Sequence, residues 1–363
     1  MGYILAGDEL KRYAETRLFG TNVTPEIVDK IELHNGILPS QLLQAYAERG
    51  EKLTLVEQVN AREPLFYRNG VLHIPQYSGF GRARRYRHLI KRYSSLQQKA
   101  LEFTETNHEG RTETNMAYEN YAYDFIKELS YKEPFTFLDG VIIGNTEAVA
   151  KQTKVLRNLG NEYLDAQIIK TEGTTGEKYL LNFGYVYGDQ AGILLNKFLR
   201  HWDGDRLGNG KEKFSIYTFG RFGSLEDKKE RQDIVTPTQI INESDLVRGK
   251  ALIHPIDNCF SNENHESLNL NVRSVVDETT EHLLNAREQG ASTVDMELFE
   301  MTMAINQARE RYYDGGEKFF IEFGALGYVS DKPLHGDTLA KELGDDTGEQ
   351  AAISEILEHA ANN

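Results

Sequence analysis

Apolar residues recur at helical spacing through the first third of the chain. Residues 8–18 and 25–33 read as short helices, and 38–59 as one or two more. Residues 65–74 alternate instead, with Arg68-Asn69-Gly70 placed as a hairpin turn. Helical spacing returns over 96–103 and 116–129. From Pro134 the pattern changes. The run 135–144 is apolar and ends in glycine, as a buried strand does. Residues 147–159 follow as a helix. Residues 166–169, 179–187 and 214–219 are rich in β-branched and aromatic side chains and predict strands, with an amphipathic helix over 191–202 before the last. Residues 234–241 and 250–253 predict two more strands. Residues 296–313 predict a strong helix, with Leu298, Met301, Ile305 and Ala308 on one face, and 319–328 a final strand. Strands alternating with helices over 134–343 indicate an α/β domain with a mixed or largely parallel sheet. A mainly helical domain, 1–133, precedes it. Residues 344–363 read as an acidic, helical tail outside the core.

The chain has 363 residues, room for two domains of ordinary size. Lys plus Arg is 41 and Asp plus Glu is 56, a net charge of −15. Repulsion of that size opposes a general nucleic-acid coat but leaves room for a basic pocket holding one phosphate. Cys259 is the only cysteine, which excludes an intramolecular disulfide and the usual thiolate zinc sites. That usage fits a reducing compartment. No apolar run approaches the ~18 residues of a membrane helix, and the first residues lack a signal-peptide layout, so a soluble cytoplasmic protein is expected. His254, Asp257, His265 and His335 show no ligand spacing, so no metal and no cofactor are expected.

Three segments of the second domain carry candidate chemistry. Tyr217-Thr218-Phe219-Gly220-Arg221-Phe222-Gly223-Ser224-Leu225 leaves a strand with two glycines three apart, a spacing that lets backbone N–H groups approach a ligand and that also occurs in ordinary turns. In Thr293-Val294-Asp295-Met296-Glu297 a carboxylate stands where it could accept from a vicinal diol; it would equally favour the start of the following helix. Tyr328-Val329-Ser330-Asp331-Lys332-Pro333-Leu334-His335-Gly336-Asp337 leaves the end of an apolar strand, where open α/β sheets place ligands. An aspartate kept protonated there is a general acid; an Asp-x-Pro turn is the plainer reading. In the first domain, residues 81–93 are densely basic and aromatic. They offer either a phosphate or RNA site or a solvated helix face paired with acidic neighbours.

In this order the segments resemble the purine nucleoside phosphorylase and nucleosidase superfamily over about residues 135–343. Phe137-Leu138-Asp139-Gly140-Val141-Ile142-Ile143-Gly144 is similar to its first strand and glycine turn. Asn182-Phe183-Gly184-Tyr185-Val186-Tyr187-Gly188 is similar to a later strand and helix entry. Gly220 to Leu225 is similar to its glycine-rich loop, Asp233-Ile234-Val235-Thr236-Pro237 to the next strand start, and Val294-Asp295-Met296-Glu297 to its ribose motif. Val329-Ser330-Asp331-Lys332-Pro333-Leu334-His335-Gly336 resembles the AMP nucleosidase branch, which also carries an extra N-terminal domain.

The resemblance implies a nucleoside phosphorylase-like three-layer domain with a mixed central sheet. It implies N-glycosidic cleavage of a purine nucleotide or nucleoside, AMP plus water giving adenine and ribose 5-phosphate. Asp331 would protonate purine N7, oriented by Ser330. Glu297 and Met296 would hold the ribose. Glu147 is the nearest glutamate for activating water, two residues before the expected position, which Val149 occupies. Gly220, Arg221 and Gly223 would meet an anion, Phe260 would stack on the base, and Arg273 and His335 would line the pocket. Thr218 stands where phosphorylases carry arginine. A phosphorylase using inorganic phosphate, or a non-catalytic nucleotide- or nucleic-acid-binding protein, are the alternatives, and a homo-oligomer is implied.

Overall fold

Residues 3–58, 64–77, 80–97, 101–108, 116–132, 137–174, 176–186, 188–206, 212–249, 252–261, 266–275, 278–314, 320–337 and 346–363 are described by a computed structural model. They divide into two units: Met1–Tyr121 with Ser274–Thr279, and Ala122–Arg273 with Thr280–Asn363. The boundary expected at 133/134 lies outside the described residues.

The first unit holds α1 (Gly7–Leu18), β1 (Lys30–Asn35), α2 (Pro39–Ala47), β2 (Thr54–Leu55), β3 (Phe66–Arg68), β4 (Val71–Gln76), α3 (Phe80–Leu96), β5 (Glu102–Asn107) and the start of α4 (Met116–Lys132). Its strands form one sheet, β2-β3-β4-β1-β5. β4, β1 and β5 are parallel; β3 and β2 join antiparallel. The expectation of a mainly helical domain is therefore corrected to helices on a five-stranded mixed sheet. The physical reason is visible in β1. Ile31 and Leu33 are fully buried and alternate with Glu32 and His34, a period of two that a longer helical window conceals. The same holds at 96–103, where α3 ends and β5 begins. The hairpin forms as expected: Asn69 (φ 48°) and Gly70 (φ 83°) take the left-handed conformations that a type I′ turn needs. In α3, Arg87 donates two hydrogen bonds to Glu105 at 2.7 and 2.8 Å, while Arg82 and Arg85 are buried over the rings of Tyr86 and Tyr13. These cations are engaged within the unit.

The second unit continues α4 and adds β6 (Gly140–Ile143), α5 (Thr146–Ala150), β7 (Lys154–Asn158), β8 (Ala166–Gly173), β9 (Gly176–Phe183), α6 (Asp189–Arg206), β10 (Lys213–Ser224), β11 (Ile234–Asn242), α7 (Glu243–Val247), β12 (Ile253–Pro255), β13 (Glu266–Asn271), α8 (Thr280–Glu288), β14 (Thr293–Asp295), α9 (Leu298–Asp314), β15 (Phe320–Asp331) and α10 (Thr347–Asn362). The expected mixed α/β architecture is present. The sheet runs β12-β11-β13-β14-β10-β6-β9-β8-β7, and β15 pairs with both β10 and β11. β9, β6, β10 and β15 are mutually parallel neighbours; β8 and β7 are antiparallel additions at one edge. At the other end β10, β15, β11, β13 and β14 pair in turn, and β14 returns to β10, closing a ring.

Two local expectations change. The helix expected over 147–159 stops at Ala150 and the chain enters β7. The glycine-rich segment expected as a loop lies within β10, which extends through Ser224. The expected tail is helical, but it belongs to the core. Ala352, Ile353, Ile356, Leu357 and Ala360 of α10 pack with Ile142, Val149, Ile169, Leu180, Tyr217 and Leu326. Glu355 and Glu358 lie on its exposed face, while Glu349 is buried. Among the described residues no helix is long and apolar enough to cross a membrane.

Ile356, fully buried, reports this docking. Ile356→Ala is expected to lower the unfolding free energy by about 2–5 kcal/mol. Leu156→Ala, at an exposed position, is expected to change it by about 0.5 kcal/mol or less. Equal effects in urea melts would show that α10 does not pack on the sheet.

Candidate active site

Strand β15 lies along β10 in parallel register from Lys213↔Phe320 to Phe222↔Val329. The next pair is Gly223↔Asp331, so Ser330 is an extra residue, a β-bulge. Bulges re-aim side chains and recur beside active sites. Here the bulge sets Asp331 directly opposite Gly223. A Cβ at Gly223 would stand 2.8 Å from Val294 Cγ1 and 3.5 Å from Asp331 Oδ1. Glycine at 223 therefore lets β14 and the end of β15 meet on one spot of β10.

Asp331 is almost fully buried, and burial pushes its carboxyl up to about 6. Ser330 opposes that shift, with Oγ 2.6 Å from Asp331 Oδ1. Asp337 raises it further, and Arg231 and Arg221 lower it. Arg231 is already paired, bidentate, with Asp337 at 2.7 Å for both bonds. The two neighbours act with opposite signs, so desolvation decides. Ser330 Oγ also lies 3.3 Å from the carbonyl oxygen of Phe222. A carbonyl only accepts. When Asp331 holds its proton it can donate to Ser330, whose hydroxyl then donates to Phe222. When Asp331 is ionised the hydroxyl turns back to it. The bulge thus offers a complete hydrogen-bond set for either state of the carboxyl.

Alternate residues share a face of a strand, so Tyr217, Phe219, Arg221 and Gly223 point one way from β10. The first two enter the core under α10. Arg221 is exposed, and its Nε donates to Tyr328 Oη at 3.1 Å. Tyr328 also approaches Glu349 Oε1, which accepts from Tyr185 Oη at 2.6 Å. Glu349 Oε2 accepts from Asn145 Nδ2 at 3.2 Å. Asn145 caps α5 just past β6. A second buried carboxylate therefore stands on the Arg221 face, delivered by α10.

The ribose-motif segment divides its labour. Asp295, buried, accepts from the backbone N–H of Glu297 and Leu298 and from Asn269 Nδ2, the helix-start role. Burial raises it to about 6 as well. Glu297 is half-buried and accepts from Gly188 N at 3.1 Å, at the entry to α6; Met296 is half-buried beside it. Gly220 faces open space on the Thr218 side of β10.

Four candidates are placed elsewhere. Glu147 is exposed on α5. Phe260 is a core residue against Tyr217 and His359, so it does not present a free ring to a base. Arg273 is exposed, with its backbone N–H on Glu243. His335 turns to Asp227, 2.8 Å away. Of the histidines weighed as ligands, His265 lies outside the described residues. A shallow groove of about 530 Å³ between the β8–β9 end and α10 has Thr171, Gly173, Leu357 and Ala361 in its wall and holds none of the candidates. Chemistry, not concavity, marks the site.

Sequence reading missed Glu349, Tyr185, Asn145 and Arg231. Glu349 lies 204 residues from Asn145, and no local motif signals such a pairing. Arg231 and Asp337 carried a weak signal as opposite charges flanking strand ends.

The sequence matches no protein-family model and no curated protein. Among solved structures, the chain is similar to uridine phosphorylase from Schistosoma mansoni in its apo form: 14% identity, 64% of this chain and 90% of that one, TM-score 0.45. It is similar at 11% identity to the Campylobacter jejuni 5′-methylthioadenosine/S-adenosyl homocysteine nucleosidase, over 62% of this chain and 99% of that one, TM-score 0.45. The S-adenosylhomocysteine nucleosidase of Streptococcus pyogenes, in complex with 5-methylthiotubericidin, matches at 12% identity over 61% and 94%, TM-score 0.42. These are nucleoside phosphorylases and nucleosidases. At such identity and overlap they leave the chemistry to be read from this chain's own residues.

Asp331 gives that chemistry a pH signature. The folded chain holds this proton longer than the unfolded one, so the contribution is fully present below about pH 4. It falls by about 3 kcal/mol as pH rises to about 6. Asp331→Asn removes that fall. The difference in unfolding free energy between wild type and variant should move in the variant's favour between pH 4 and 6 and be flat above pH 7. A difference independent of pH from 4 to 8 would mean an ordinary carboxyl.

Proposed function

We propose that the second unit cleaves the N-glycosidic bond of a purine nucleoside or nucleotide, with AMP and water giving adenine and ribose 5-phosphate. The observation that carries the reading is Asp331: a buried carboxyl, raised to about 6, at the end of a parallel strand, with a hydrogen-bond set for both protonation states. As the C1′–N9 bond lengthens, the purine gains negative charge and the ribose becomes an oxocarbenium-like cation. A proton held near neutral pH and delivered to N7 stabilises the leaving base. Glu297 takes the ribose hydroxyls. Arg221, on the same face of β10 as the approach to Asp331, takes the 5′-phosphate, as a guanidinium suits.

Water activation goes to Glu349 in preference to Glu147. Asn145 binds Glu349 at the end of β6, whereas Glu147 faces solvent. Hydrolysis is favoured over phosphorolysis because Thr218, at the place where phosphorylases carry arginine, is buried and donates to the Ile143 carbonyl.

The test is release of free base from AMP, adenosine, inosine and methylthioadenosine, with and without phosphate. Adenine from AMP without phosphate is expected. Asp331→Asn should lower the rate by about 10²–10⁴-fold. Release only with phosphate would make the protein a phosphorylase; no base from any substrate would end the enzymatic reading for these purines. Glu349→Gln is expected to cost at least about 10²-fold and Glu147→Gln about twofold or less. The reverse order would return water activation to Glu147.

A further inference from the structure

The parallel strands of the first unit bring a second set of chemical groups together. Glu32 and His34 are two apart on β1 and share a face. His73 of β4 stands in register with Glu32. Their donor atoms converge: His34 Nε2 is 3.0 Å from His73 Nδ1, His73 Nδ1 is 3.4 Å from Glu32 Oε2, and His34 Nε2 is 3.6 Å from Glu32 Oε2. We propose that Glu32, His34 and His73 form a binding site for a divalent transition metal, with zinc as the expected ion.

The geometry supports this on three counts. Bonds of about 2.0–2.1 Å to a tetrahedral zinc put neighbouring donor atoms about 3.3 Å apart, inside the observed range of separations. The outer groups are in place. Thr106 Oγ1 donates to Glu32 Oε1 at 3.1 Å, leaving Oε2 on the converging side. His34 Nδ1 lies 3.0 Å from His108 Nε2. With its proton on Nδ1, shared with His108, His34 turns an Nε2 lone pair toward the Nδ1 of His73 and the carboxylate. Such outer partners fix the tautomer of a ligating imidazole. Finally, both histidines are buried. The neutral imidazole is the form that ligates a metal, and a solvent-shielded position suits it.

Two imidazoles and a carboxylate leave a fourth position, as in hydrolytic zinc sites. Tyr46 Oη, 3.3 Å from His73 Nδ1, borders it. That position takes water or a small oxygen ligand. A second donor group, Cys259, Glu322 and His359, is the weaker candidate. Glu322 is already engaged by Lys213, Ser215 and Tyr217, and burial keeps the Cys259 thiol protonated, pushed up to about 12.

The full chain is to be loaded with Zn²⁺, dialysed, and measured for metal by mass spectrometry; Co²⁺ replaces zinc for visible spectroscopy. One zinc per chain is expected, with a cobalt spectrum of low-symmetry four-coordinate type. His73→Asn and Glu32→Gln should each weaken binding by at least about 100-fold, with circular dichroism unchanged. Cys259→Ala should bind as wild type does. Glu32 is partly exposed, so its variant serves if His73→Asn does not fold. No retained zinc in the wild type, or undiminished binding in Glu32→Gln, would overturn the proposal, and loss only in Cys259→Ala would move the metal to the other group.

Discussion

Eleven registered pairs between β10 and β15 set the places of Arg221, Gly223, Tyr328, Ser330 and Asp331 in the second unit's site. Parallel pairing carries both strands the same way, so their ends arrive together. Over most of the length the strands do only structural work, filling the core with Phe214, Ile216, Ile321 and Phe323. Gly327 permits this closeness at one point, since a Cβ there would enter the Phe222 ring. At the end the ladder changes character. One extra residue on β15 moves Asp331 opposite Gly223 and puts a hydroxyl between the carboxyl and the Phe222 carbonyl. Without the bulge, Ser330 would face Gly223 and the carboxyl would pass to the next position.

The electrostatics follow from the same pairing. A carboxyl beside two arginines would ordinarily sit low. Arg231 is committed to Asp337, so it reaches Asp331 as one half of a neutral pair. Arg221 is drawn toward Tyr328, Tyr185 and Glu349. The remaining influence is loss of water, and that raises an acid. The cost of keeping Asp331 buried is carried by the apolar strand that holds it. This is the usual relation between a rigid scaffold and a strained chemical group.

Much of this was legible in the sequence where the signal was local. Ser330, Asp331 and Gly223 lie in short runs that spacing alone left as ordinary turns and that the family resemblance singled out; the structure brings them together. Asp295 as a helix cap could be read from its place before an amphipathic run. Strands β6, β8, β9, β10, β11 and β15 of the second unit were visible as apolar or β-branched runs, whereas β7 was read as helix and β13 and β14 were not expected. The first unit hid its sheet because β1 and β5 carry Lys, Glu, His, Thr and Asn at nine of their twelve positions, which lowers the apolar count below that of an ordinary buried strand. Phe260 shows the opposite failure: an aromatic between strands looks available for stacking until the far end of the chain covers it. Glu349 and the His34–His73 pair were illegible because their meaning lies in partners far along the chain.

That covering helix ties the site to the stability of the unit. Glu349 enters as the third residue of α10, and the same helix buries Ile353 and Ile356 against the sheet. Its carboxylate is held by groups from three separate places: Asn145 after β6, Tyr185 after β9 and Tyr328 within β15. None of those groups is near another in sequence, so the cluster cannot form until the sheet has formed and α10 has docked on it. Loop-closure entropy makes such long-range contacts late and costly. The apolar face of α10 supplies the driving force, and the carboxylate is carried in with it. A chain that has lost this docking would keep Ser330 and Asp331 at the end of β15, since the bulge is built by β10 alone. It would lack the second carboxylate and its links to Asn145, Tyr185 and Tyr328. The arrangement therefore separates two requirements: one carboxyl is positioned by strand register, the other by completion of the core.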